Sequence, residues 1–248
     1  MIILKSQQEI DAMRESGRLL AQVHQELAGM IKPGVTTHEI DQFVERYLHK
    51  HGATPEQKGY HGFPFATCAS VNDVICHGFP NKEPLKDGDI VTIDMVVNLN
   101  GALSDSAWSY RVGEVSEQAD KLLTVTEKCL YLGIEQAVSG NRLGDVGHAI
   151  QSYAEANGFS VVRDFIGHGI GKDMHEEPQV PHYGSPNRGI RLKEGMVITI
   201  EPMLNTGRYH VKLDSDGWTA RTADGGLSAQ YEHTIAITKD GPVILTTL

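Results

Sequence analysis

Cysteine is scarce in this chain: Cys68, Cys76 and Cys129 are the only three, and no Cys-x-x-Cys pair occurs. An odd number at these spacings argues against a disulfide framework and a zinc–thiolate site, and it suits a reducing cytosol. Long apolar runs are missing too. No stretch approaches the roughly 20 residues of a membrane span. The opening Met1-Ile2-Ile3-Leu4-Lys5-Ser6-Gln7 lacks the basic start and longer apolar core of a secretory signal. A cytoplasmic protein without a membrane partner is expected. Positive charge is in deficit, with 22 Lys and Arg against 32 Asp and Glu and a net charge of −10. That balance argues against nucleic acid as the primary ligand. Disorder is not expected, because 40% hydrophobic residues offer enough apolar surface to offset chain entropy. No Pro/Gly/Ser linker divides the 248 residues, so residues 1–248 are read as one domain, and a monomer is expected.

What is present shows a repeat. Ser6 with Glu9, and Thr36 with Glu39, have capping-box spacing ahead of two helical apolar patterns. Short strand-like runs follow at 68–71 and 74–76, then a buried strand over 90–97. Residues 117–138 and 143–157 read as helices, and Phe159–Val162 as a strand. Aligning Gly34 with Gly140 also aligns Gly52 with Gly158, an offset of 106. More specifically, Leu85-Lys86-Asp87-Gly88-Asp89-Ile90-Val91-Thr92-Ile93-Asp94 parallels Leu192-Lys193-Glu194-Gly195-Met196-Val197-Ile198-Thr199-Ile200-Glu201, at an offset of 107. Two similar halves, about 1–112 and 113–248, are expected to pack about a pseudo-two-fold axis. The fold class is α+β, with helices on a mainly antiparallel sheet.

Asp94 and Glu201 each end an apolar strand run, where a charge is costly unless paired or bound to metal. Either acid alone is better read as a buried salt-bridge partner or an exposed strand end than as a metal ligand. Asn100-Gly101 is a strong hairpin signal. A two-residue loop there pairs Leu99 with Ala102 and Asp94 with Ala107. Asp105 then shares a face with Asp94, with Cα atoms roughly 7–8 Å apart. Two carboxylates so placed can clamp two metal ions about 3.5–4 Å apart. Glu232 opens another strand-like run, and His168 lies within Gly167-His168-Gly169-Ile170-Gly171. Four strand acids with one glycine-framed imidazole suit a divalent Mn, Fe, Co or Zn ion.

At this point the chain resembles the type I bacterial methionine aminopeptidases, members of the pita-bread metallopeptidases. The resemblance rests on Ile93-Asp94, Ser104-Asp105-Ser106, Gly167-His168-Gly169-Ile170-Gly171, Met174-His175-Glu176-Glu177-Pro178, Thr199-Ile200-Glu201-Pro202-Met203 and Gln230-Tyr231-Glu232-His233-Thr234, and it runs over nearly the whole chain. It implies a pita-bread fold of two related halves and removal of an N-terminal methionine, with a small second residue preferred. Two divalent ions are implied as cofactors. Asp94, Asp105 and Glu232 would hold one, and Asp105, His168, Glu201 and Glu232 the other. Glu201 would move the proton as general base and then acid. His175 would stabilise the oxyanion, and His77 would contact the scissile peptide nitrogen. Tyr60, Phe63, Cys68, Met174 and Trp218 would surround the methionine side chain, although such residues fill cores equally well. The chain departs from the enterobacterial pattern at Gln57, Phe63 and Met174. A monovalent cation, Na or K, would lie near backbone carbonyls of Asn72, Val74 and Ser228. Partners would be N-termini of nascent chains or peptides beginning with Met, with ribosome association implied by that task.

Two other identities share parts of this pattern. Aminopeptidase P and prolidase resemble this ligand set but have a large extra N-terminal domain, whereas about ninety residues precede Asp94 here. A catalytically dead pita-bread binding module fits poorly, because all five ligand positions and both histidines are present.

Overall fold

The computed structural model describes all 248 residues. The first half contains α1 (Gln7–Met30), α2 (Thr37–Lys50), β1 (Ala53–Pro55), β2 (Cys68–Val71), β3 (Val74–Cys76), β4 (Ile90–Leu99) and β5 (Ala102–Arg111). The second contains α3 (Glu117–Gln136), α4 (Leu143–Ala156), β6 (Ser160–Val161), β7 (Gly167–Gly169), β8 (Glu176–Val180), β9 (Val197–Ile200) and β10 (Met203–Asn205). It continues through β11 (Val211–Leu213), β12 (Ala220–Thr222), β13 (Ser228–Gln230), β14 (His233–Thr238) and β15 (Gly241–Ile244). The helices start where side chains satisfy their free N–H groups. Ser6 and Glu9 form one capping box and Thr36 and Glu39 another. The offset of 106 carries both ends of α2 onto those of α4.

Every strand pairing is antiparallel. One edge of β4 is shared by β1 and β2, and the other is taken by β5. The second large sheet has the order β15-β14-β9-β7-β8. The Asn100-Gly101 turn sets the β4–β5 register as the alternation predicts: Leu99 faces Ala102 and Asp94 faces Ala107. Asp105 faces Val96, two residues from Asp94 on the same face.

Each half has its own apolar core. Leu20, Val23, Leu27, Ile40 and Val44 pack on Ile93 and Met95 in the first half. Leu122, Leu130, Val146 and Ile150 pack on Ile198, Ile200 and Ile235 in the second. Hydroxyl groups join the halves. Thr234 Oγ1 donates to the Asp105 carbonyl at 2.8 Å and accepts the Asp105 N–H at 3.0 Å. Ser106 Oγ donates to the Glu232 carbonyl at 2.8 Å, and the Glu232 N–H donates to the Ala107 carbonyl at 2.8 Å. This seam brings Asp105 of one half beside Glu232 of the other.

The structure departs from the sequence reading at several ends. The third and fourth helices stop at Gln136 and Ala156, and the strand after α4 shrinks to Ser160–Val161. Glu201 lies just beyond β9 rather than within it. Pro202 has no N–H to continue the ladder, so the strand breaks at the acid and resumes as β10.

Candidate metal centre

His168, Asp105 and Glu232 offer ligand atoms that all lie within 4.8 Å of one another. The glycines around His168 are there for close approach: a Cβ at Gly167 would sit 2.5 Å from the Thr199 carbonyl oxygen. His168 Nδ1 lies 2.9 Å from the Gly169 carbonyl, to which it donates, so Nε2 is the ring nitrogen turned to the acids. Nε2 is 3.5 Å from Asp105 Oδ2 and 3.6 Å from Glu201 Oε1. Asp94 and Glu201 line the same cavity as Asp105 and Glu232.

These acids are under electrostatic stress. Burial, followed by the charges of Asp105 and Glu201, pushes Asp94 well above the usual carboxylate range. Burial does the same to Glu232, aided by Asp105 and Glu201. Glu201 is raised by burial to about 7, with the neighbouring His168 working the other way. Burial works to lower His168, but its hydrogen bond to Asp105 and the charges of Glu201 and Asp105 outweigh that and raise it to about 9. Four acids in one buried cluster cannot all ionise unaided, and a divalent cation removes the conflict. Two oxygens carry the same message. Asp105 Oδ1 and Glu232 Oε1 are buried without any hydrogen-bond partner. Carboxylate oxygens left this way suit metal ligation, so the donor set fits divalent ions.

A cavity of about 190 Å³ opens on this cluster. Its lining includes all five ligand candidates, Asp94, Asp105, His168, Glu201 and Glu232, together with His77 and His175. Tyr60, Phe63, Cys68, Met174 and Trp218 line the same cavity. His77 has a left-handed backbone (φ +56°), and its ring is held edge-on between Phe165 at 5.3 Å and Trp218 at 6.2 Å. Burial lowers the His77 imidazole, and burial with the neighbouring His168 lowers His175 to about 4. Both rings are therefore neutral near pH 7. Asn72, Val74 and Ser228 lie outside the cavity lining. There the Ser228 N–H donates to the Asn72 carbonyl at 2.9 Å.

Several residues that hold the site were not singled out from the sequence. Thr199 Oγ1 donates to Glu201 Oε1 at 2.8 Å and accepts the His168 N–H at 3.0 Å. Gln230 Nε2 lies 3.3 Å from Glu201 Oε2. His182 is wholly buried, and its Nε2 accepts the Glu201 N–H at 3.1 Å. Phe165, Ile166, Val96 and Met203 complete the apolar wall. The Thr-Ile-Glu-Pro string was a readable signal for Thr199, because its repeat partner Thr92 precedes Asp94 by the same two residues. Nothing in the spacing points to His182.

The family profile of Metallopeptidase family M24 matches residues 11–239. The chain is 54% identical over 246 residues to a methionine aminopeptidase of Clostridium perfringens, covering 99% of each protein. It is 53% identical over 246 residues to methionine aminopeptidase 1 of Bacillus subtilis, again over 99% of each. The crystal structure of methionine aminopeptidase from Rickettsia prowazekii superposes with a TM-score of 0.98 at 45% identity, over 99% of this chain and 100% of that one. Prolidase from Pyrococcus furiosus shares the fold at a TM-score of 0.79 and 23% identity, with only 66% of its chain covered. Full-length identity near one half, on a scaffold whose two halves bring these acids together, settles the family: the chain belongs to metallopeptidase family M24, among its methionine aminopeptidases, and has their pita-bread α+β fold.

Proposed function

We propose that this chain removes the N-terminal methionine from peptides and nascent proteins by metal-assisted hydrolysis of the first peptide bond, with a small second residue preferred. The observation that carries the chemistry is the convergence of Asp105, His168 and Glu232 with two buried, unpartnered carboxylate oxygens. Asp94, Asp105 and Glu232 are assigned to one divalent ion, and Asp105, His168, Glu201 and Glu232 to a second. Such ions lower the pKa of water and polarise a carbonyl. The ions are Co, Fe, Mn or Zn by the character of the donors.

This chain's own residues do the rest. Glu201, held at one oxygen by the Thr199 hydroxyl and at the other by Gln230, takes a proton from water and returns it to the leaving amine. His175 donates to the oxygen that becomes negative in the transition state. His77 contacts the nitrogen of the scissile bond. Tyr60, Phe63, Cys68, Met174 and Trp218 take the methionine side chain, and the buried Gln57 shapes the same wall. Asn72, Val74 and Ser228 offer backbone carbonyls to a monovalent cation. No helix is long and apolar enough to cross a membrane. A cytoplasmic monomer that meets nascent chains near the ribosome is the setting this chemistry suits.

The test compares methionine release from a Met-Ala-Ser peptide with cleavage of an Xaa-Pro peptide, in oxygen-free buffer. Chelation should abolish the first reaction and added metal should restore it. Preferential cleavage of Xaa-Pro, or full activity after exhaustive chelation, would refute the proposal.

A further inference from the structure

Tyr60 counts as pocket wall in the reading above, but its hydroxyl does something that a wall does not require. Tyr60 Oη lies 2.9 Å from His175 Nδ1, and the two residues are 115 positions apart in sequence. The rings sit 5.3 Å apart and tilted, so the contact is through this bond rather than through stacking. Neither atom has another hydrogen-bond partner within the chain. We propose that Tyr60 sets the tautomer of His175, donating its hydroxyl proton to Nδ1 so that the imidazole proton stays on Nε2.

The surroundings decide the direction of the bond. A neutral imidazole has one N–H to place. With Nδ1 engaged by Tyr60, only Nε2 is left for the cavity, where His175 shares the lining with Asp94, Asp105, Glu201 and Glu232. If Nδ1 donated to Tyr60 instead, Nε2 would turn a lone pair toward the carbonyl oxygen of a bound substrate. That oxygen is an acceptor, so the arrangement is repulsive. With Tyr60 as donor, Nε2–H faces it. His175 is then prepared to donate to an oxyanion before substrate arrives.

The backbone around Tyr60 is built to hold this aim. Gly59, His61 and Gly62 all have left-handed φ values, +94°, +46° and +87°. A non-glycine residue in this region is uncommon, and such conformations persist where the surroundings enforce them. The turn is closed by the Gly59 N–H to the Phe63 carbonyl at 2.7 Å and the Phe63 N–H to the Tyr60 carbonyl at 2.9 Å. The His61 ring packs edge-on against Tyr60 at 4.4 Å. The turn is also tied to the metal-bearing sheet. Gln57 accepts the Tyr60 N–H at its carbonyl and the Val96 N–H at its side-chain oxygen. Tyr60 is therefore a positioning residue that acts through His175.

This inference rests on the role given to His175 above, and its test separates the two. Long-range 1H–15N spectra of 15N-histidine-labelled, zinc-loaded protein read the His175 tautomer directly. The expected result is a proton on Nε2 in the wild type and loss of that single tautomer in Tyr60→Phe, which keeps the ring against His61. A proton on Nδ1 in the wild type, or an unchanged tautomer in Tyr60→Phe, overturns the proposal. In kinetics on Met-Ala-Ser, Tyr60→Phe should lower kcat by ~10-fold and change KM less than ~2-fold, a part of what loss of an oxyanion donor costs. A raised KM with unchanged kcat would make Tyr60 a wall only and overturn it too. Full kcat in His175→Ala, with Nε2 protonated in the wild type, would refute the oxyanion role of His175 while leaving the tautomer assignment standing.

Discussion

The two halves repeat one ten-residue motif and use it differently. In the first half Asp94 sits inside β4, and Met95 follows it. The strand runs on to Leu99, and the backbone around Asp94 is paired with β2 on one side and β5 on the other. In the second half Glu201 ends the motif, and Pro202 follows it. The strand stops at Ile200, and the Glu201 N–H goes to the His182 ring instead of to a neighbouring strand. The difference of one residue type converts a rigid ladder position into a strand end held by side chains. The rigid position carries an acid assigned to ligation alone. The strand end carries the longer acid, to which proton movement is assigned.

The largest expected effect lies on the seam between the halves. Asp105→Asn removes a charge assigned to both ions, so kcat/KM should fall by on the order of 10³ or more. Calorimetric titration of divalent metal into the stripped protein should weaken in parallel. Near-normal turnover would break the idea that the halves share a ligand. His175→Ala serves as a contrast, with turnover falling while metal content, read by elemental analysis, stays near that of the wild type.

Exchanging the residues after the acids sharpens the comparison next. Met95→Pro should destabilise the fold by about 3 kcal/mol or more, since it removes an N–H from the interior of β4. Pro202→Ala should cost less than about 1 kcal/mol, because no ladder bond depends on it. Urea unfolding measures both, and equal costs would contradict the distinction.

A third test uses the helices. The offset of 106 sets Leu130 of α3 opposite His24 of α1. His24 is wholly buried, stacked on Trp108 at 5.0 Å and hydrogen-bonded to Tyr110 Oη at 2.7 Å. Burial lowers it to about 3. The unfolded chain takes up this proton below about pH 6.5 and the fold does not, so stability falls as pH drops from there toward 3. The stability gap between wild type and His24→Gln should therefore shrink by about 2 kcal/mol between pH 6.5 and pH 5. The gap to Leu130→Ala should stay flat, and using gaps cancels the carboxylates common to both proteins. The smallest effect is at a cap. Thr36→Ala should cost about 1 kcal/mol in the same unfolding assay. Arg142, the corresponding residue ahead of α4, has no acceptor to offer its helix, so Arg142→Ala should lose little through capping.

What the sequence revealed and what it hid follow from the range of the interactions. The Asn100-Gly101 turn and side-chain alternation were enough to put Asp94 and Asp105 on one face, because a hairpin is local and its parity is strict. The capping boxes were legible for the same reason. The break after Ile200 was signalled by Pro202, yet the repeat with the unbroken β4 pointed the other way. Tyr60 on His175, His182 on Glu201 and Thr234 on Asp105 join positions distant in sequence, and no period or spacing encodes them. The methionine-pocket residues were legible only through family resemblance, since aromatic and sulfur side chains read equally as core.

The central claim is that acids from both halves form one cage for divalent ions. Anomalous diffraction from crystals loaded with manganese tests it most directly. Density is expected between Asp105 and Glu232, with His168, Asp94 and Glu201 also in contact. Manganese bound elsewhere, or bound there with Asp94 or Glu232 turned away, would contradict it.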